Sequence, residues 1–191
     1  MIIDLVKQTL TQPQDAARRI LGLGLPRETV LQLLGVTVGI RVIIQMLVIA
    51  GLRRTSDPDM QKIIEQFLEF PNAGPIVLAL IMFVTALVFT ALIQQFGNML
   101  GGKGDYWGLL ALSTWVDLLM VLAIIVGVIL TVLMPPIGAL FQLAAVITMI
   151  VVLINVISVG LAMTRWKTFF ILIASFIALL FVQSLLAPLF F

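Results

Sequence analysis

Arg41 and Asp117 are charged residues set deep in otherwise apolar runs. Each lies about ten residues from the same-side end of its run, hence roughly 15 Å down at 1.5 Å per residue. A lone charge at mid-membrane is costly, so such groups turn inward and find partners. Opposite signs at equal depth therefore predict a pair. Its functional use would be to gate or couple a path for a solute or ion. Its structural use would be to clasp two helices. No further charge continues a path, so the clasp is the plainer expectation, and Gln45, one turn after Arg41, is placed to share the bond.

Uncharged polar groups form a second candidate set. Gln94, Gln95 and Asn98 close one apolar run, near Lys103 and Asp105, while Gln142, Asn155 and Gln183 lie in later runs. With Gln45 they are candidates for a polar cluster. Amides between membrane helices more commonly act as glue, at about 1 kcal/mol each.

Other chemistries find no support. The chain has neither cysteine nor histidine, which removes disulfides, thiolate nucleophiles, the usual zinc sites and imidazole bases. Ser113 and Thr114 have no histidine to activate them, and Asp117 is the only carboxylate well inside a run, so a membrane enzyme is the least favoured class. Gly97 to Lys103 matches the first seven positions of a phosphate-binding loop, but Gly104 stands where Ser or Thr should bind magnesium, and no strand precedes it. Asp57-Pro58-Asp59 lacks the remainder of a calcium loop and reads better as a helix start. The methionines form no tight cluster. No metal and no cofactor is expected. A net charge of +2 gives no concentrated basic face for nucleic acid.

The elements that must position these residues follow from composition. Of the 191 residues 62% are apolar and only 10% charged, too few polar groups to cover a water-soluble surface. The expected fold is all-α, an integral membrane bundle of five transmembrane helices with amphipathic interfacial helices. The spans fall at about 30–52, 75–96, 108–134, 137–164 and 168–191, forming one membrane domain over 30–191. Pro135-Pro136-Ile137-Gly138 predicts a tight turn between the third and fourth. Residues 1–29 form an N-terminal amphipathic segment, with a helix start near Thr11 and Pro13, and arginines beside an apolar stripe suit the headgroup plane. It has no cleavage site, so the first span is expected to act as the signal anchor. Met60, Ile63, Ile64, Phe67 and Leu68 predict a second surface helix.

Small residues recur four apart, as at Gly35 and Gly39, Gly97 and Gly101, Gly104 and Gly108, and Ala123 and Gly127, which supports close helix approach. Lys7, Arg18, Arg19, Arg27, Lys103, Arg165 and Lys167 share one side of a five-span layout, against Arg53, Arg54 and Lys62. The positive-inside rule then puts the N-terminus in the cytoplasm and the C-terminus outside.

The stretch from Phe96 to Leu112, with Gly101-Gly102-Lys103-Gly104 and then Asp105-Tyr106-Trp107-Gly108, resembles the central segment of the Yip family, the Ypt/Rab-interacting membrane proteins. The layout of a short basic tail, five spans and short loops is similar too. The resemblance implies a helical bundle with a cytoplasmic N-terminus and no enzymatic activity. Its eukaryotic members act in vesicle traffic through Rab-type GTPases. This chain lacks their long polar N-terminal region and their Asp-Leu-Tyr-Gly-Pro-like motif, so GTPase binding does not carry over. The short form is similar to bacterial members, which implies a bacterial inner membrane.

Three functions are compared on these grounds. The first is a non-enzymatic membrane protein that organises the lipid bilayer or partner proteins, another membrane protein or itself. The alternative is a small solute or ion transporter or channel using Arg41 and Asp117. A membrane enzyme comes last.

Overall fold

The computed structural model describes residues 2–52 and 74–190. The expected surface helix at 57–70, its Asp57 start, and Arg53, Arg54 and Lys62 lie outside the described residues. Every regular element among the described residues is a helix: α1 Ile2–Thr11, α2 Pro13–Gly22, α3 Arg27–Leu52, α4 Pro75–Met99, α5 Tyr106–Leu133, α6 Pro135–Gly160 and α7 Arg165–Phe190. The five from α3 to α7 are each long and apolar enough to cross a membrane. With 26, 25, 28, 26 and 26 residues, each reaches beyond the roughly 20 that hydrocarbon requires.

The spans begin and end close to the predicted limits, and local chemistry explains the shifts. Prolines 135 and 136 do not make a turn but open α6, where a missing N–H costs nothing. The connection shrinks to Met134 alone. α4 runs on to Met99, through Gln94, Gln95 and Asn98, because amides sit well at a helix end near water. Asp105 caps α5, its carboxylate accepting from the Gly108 N–H at 3.0 Å.

The bundle has two ends. The proximal end holds α2, the start of α3, the α4–α5 and α6–α7 connections, and thus Arg27, Lys103, Arg165 and Lys167. The Lys103 N–H donates to the Leu161 carbonyl at 3.1 Å, tying those two connections together. A buried cluster of Ile93, Leu109, Leu112, Val156, Ile157 and Leu161 fills this end. A second, of Val30, Leu34, Val38, Val42, Leu78 and Leu110, follows the α3–α4–α5 seam. The outside keeps large apolar side chains such as Leu80, Ile129, Leu140, Leu143, Phe170 and Phe181 exposed, the pattern of a surface solvated by lipid.

The N-terminal helices are amphipathic, as predicted, and dock on the bundle. α2 buries Ala16, Ala17 and Ile20 against α6 and α5. In α1, Thr9 is fully buried and its hydroxyl oxygen accepts from Trp115 Nε1 at 3.0 Å. Arg18 pairs with Asp15 at 3.0 Å on the exposed face.

Neighbouring spans make a closed ring. α3 packs on α4, α4 on α7, α7 on α6, α6 on α5, and α5 back on α3, while α4 also packs directly on α5 across the ring.

Candidate functional site

Arg41 comes from α3 and Asp117 from α5, helices that pack side by side and run the same way. Counting from the proximal helix starts, they lie roughly 21 Å and 16 Å down at 1.5 Å per residue. Side chains on a helix lean towards its N-terminus, so the longer arginine reaches back to close that offset. Its Nη1 donates to Asp117 Oδ1 at 2.8 Å, a charge-assisted bond. The predicted pair forms.

Arg41 and Asp117 keep 42% and 28% of their side-chain surface exposed, and both line a half-open cavity of about 660 Å³ between the spans. That size falls within the usual range of small-molecule sites. All five spans contribute to its wall: Leu34, Val38 and Gln45 from α3, Met82, Thr85 and Phe89 from α4, Ser113 and Met120 from α5, Met149 and Leu153 from α6, Phe176 and Gln183 from α7. The wall is apolar along most of its length, with hydroxyls, two amides and the ion pair set into it.

At the proximal end the lumen is floored. Thr90 and Ser113 face each other across it at 3.4 Å, and each hydroxyl also donates to its own helix, Thr90 to the Ala86 carbonyl and Ser113 to that of Leu110. Below them the fully buried Ile93 and Leu112 close the bundle. Towards the distal end the wall continues through Leu78, Gln45 and Gln183. Thr114, also on the wall, buries a hydroxyl that has no protein partner.

The amides are not gathered into one cluster. Of the predicted set, Gln45 and Gln183 line the lumen with the charge pair. Gln94 donates to the Gly104 carbonyl at 3.2 Å and so holds the α4–α5 connection to its helix. Gln95 and Asn98 are exposed at the proximal end. Asn155 donates to the Val151 carbonyl and lines a separate, shallower cavity of about 570 Å³ beside the α1–α2 turn and Arg165.

Gly101 to Gly104 has a structural geometry. Gly101 takes φ +88°, the Gly102 N–H donates to the Gly97 carbonyl at 2.8 Å, and the Gly101 N–H to that of Asn98 at 3.1 Å. These two bonds are the Schellman end of a helix, which needs a left-handed residue where Gly101 stands. At Gly104 a Cβ would come within 3.0 Å of the Gly160 carbonyl oxygen. Backbone groups that would cradle a phosphate are thus spent on capping α4 and tying it to α6. The aromatic start of α5 is anchored in the same region: Tyr106 Oη donates to the Leu87 carbonyl at 3.2 Å, and Arg27 lies over the Trp107 ring, 5.3 Å from its centroid.

This arrangement of connection, capped aromatic helix start and five-span ring runs through the stretch that a family model covers. The model of the Yip1 domain matches residues 7–186. The chain belongs to the Yip1 domain family. Neither the curated proteins nor the solved structures contain a match to it. Within this Yip1 domain the match begins inside α1 and ends inside α7, so the docked N-terminal helices and the whole lumen belong to the family unit.

Thr85, Thr90, Met120, Phe176 and Leu179 were not legible as wall residues. Hydroxyls and methionines are common inside membrane helices, and only the ring order shows which of them share an interior.

Proposed function

We propose that this Yip1-domain protein is a non-enzymatic membrane protein that admits a small solute to a mid-membrane lumen, with Arg41 and Asp117 as its polar centre. One observation carries this reading: the ion pair stands on the wall of a 660 Å³ cavity lined by every span. A clasp needs no cavity, and keeping two charges part-exposed in an apolar wall is costly unless something polar meets them there. Catalysis finds no support at the site, because among the described residues Asp117 has no second carboxylate beside it, and Ser113 and Thr90 already bond to carbonyls of their own helices.

The basic residues at the proximal end suit a cytoplasmic face, and the bundle suits a bacterial inner membrane with the C-terminus in the periplasm. Osmotic swelling tests the function without prior choice of solute. Vesicles holding the protein should swell faster than protein-free vesicles in at least one of a panel of iso-osmotic small solutes, and Asp117→Asn should return them to the protein-free rate. Equal swelling in every solute would refute a transport role.

A second reading, the organisation of membrane or partner proteins, draws on the N-terminal helices. Ile3 and Leu10 remain exposed on α1 and Leu23 just after α2, while the opposite faces dock on the bundle, as expected of helices lying partly in the headgroup layer. It predicts loss of co-purifying membrane partners on deletion of residues 1–22, with the five spans still folded.

A further inference from the structure

The charge balance of the lumen restricts what it can hold. Among the described residues of its wall, Arg41 and Asp117 alone carry formal charge, and these two cancel while both stay ionised. A bare cation that drew Asp117 away would strand the Arg41 guanidinium in an apolar wall, and a bare anion that engaged Arg41 would strand the carboxylate. Stranded charges at such depth are strongly disfavoured. A molecule carrying both signs avoids this cost, since each wall charge exchanges its present partner for an equivalent one.

The geometry leaves room for that exchange. The pair meets through Nη1 and Oδ1 at 2.8 Å, with both side chains part-exposed to the cavity. A guanidinium has five N–H donors and a carboxylate two acceptor oxygens, so an incoming ligand can engage both before the bond between them opens. Around the charges, Thr85, Gln45 and Gln183 offer neutral polar contacts, and Met82, Phe89 and Phe176 an apolar bed.

We infer that the lumen binds a small zwitterion with an aliphatic body, its ammonium on Asp117 and its acidic group on Arg41. This rests on the lumen being a ligand site, as proposed above. Two sources supply such chemistry: a free amino acid entering from water, or a zwitterionic phospholipid headgroup entering from the bilayer. The cavity has space for either.

The test uses the full chain in mild detergent, with binding followed by calorimetric titration. The probes are leucine, a short-chain phosphatidylethanolamine, and two ions of similar aliphatic size, 3-methylbutylammonium and 4-methylpentanoate. At least one zwitterion should bind at least about tenfold more tightly than either ion, the scale of one added charge-assisted bond. Leucine binding would assign the free source and phosphatidylethanolamine binding the lipid source. Asp117→Asn should turn the preference towards the carboxylate probe, and Arg41→Gln towards the ammonium probe. The double variant keeps the wall neutral, so it guards against a folding failure of either single variant, and it should lose the zwitterion preference.

The chain has no cysteine, so Met120→Cys gives a single reporter on the same wall. If a water-soluble thiol reagent labels it while neither zwitterion outcompetes the ions, the lumen stands and the zwitterion assignment falls. If it stays unlabelled, both fall.

Discussion

Asp117→Asn leaves the Arg41 guanidinium facing an amide in a largely apolar wall, and Arg41→Gln does the same to the carboxylate. Removing one partner of a buried pair typically costs about 3–5 kcal/mol, and part-exposure to the lumen lowers this to about 2 kcal/mol. The double variant should recover about 1–2 kcal/mol of the summed loss, a coupling that reversible unfolding in mixed micelles can measure. Additive losses would mean that the two charges do not meet. A second residue invites the opposite result. The α6 end repeats the Schellman geometry of α4, with the Met163 N–H on the Ser158 carbonyl at 2.9 Å, but here Ala162 occupies the left-handed position at φ +53°. Relieving that strain with Ala162→Gly should stabilise the protein by about 1 kcal/mol in the same assay. The pair was legible in the sequence because charges within apolar runs are rare and these two lie within about one helical turn of each other in depth. Ala162 was not, since alanine gives no sign of an unusual φ, and the Thr9–Trp115 bond joins residues too far apart in sequence for any local pattern to connect them.

At the level of helices, span positions were plain from hydropathy, and what sequence could not supply was the packing phase. Gln94 and Gln95 are adjacent in sequence but point about 100° apart on a helix of 3.6 residues per turn, so one braces a connection while the other faces outward. The glycines divide in a similar way. Added Cβ atoms at Gly35 and Gly39 would meet nothing within 4 Å, whereas one at Gly138 would run into the Thr131 hydroxyl and backbone across the α5–α6 turn. Backbone cannot yield as a side-chain tip does, so Gly138→Ala should destabilise by about 1–3 kcal/mol. Gly35→Ala should be neutral or stabilise by up to about 1 kcal/mol through helix propensity. Melting temperatures of the two variants, purified in parallel, would check this contrast. The amphipathic N-terminal segment was also legible, but its docking depends on Ala16, Ala17 and Ile20 finding α5 and α6, a tertiary fact.

Across the whole molecule, the ring order α3–α4–α7–α6–α5 turns five ordinary spans into a wall around a lumen. No pattern along the chain encodes that order, because in lipid both faces of a span are apolar and periodicity loses most of its contrast. A transport role therefore depends on water reaching the interior of the ring and not its outer surface. Single cysteines along α4 read this out in a lipid nanodisc, since a thiol ionises and reacts with a water-soluble reagent only where water reaches it. Met82, Thr85 and Phe89 line the lumen, while Leu80 and Val84 are exposed on the outer surface. Met82→Cys, Thr85→Cys and Phe89→Cys should react, and Leu80→Cys and Val84→Cys should not. Uniform protection along α4, or labelling of Leu80→Cys and Val84→Cys alone, would contradict a water-filled interior around Arg41 and Asp117.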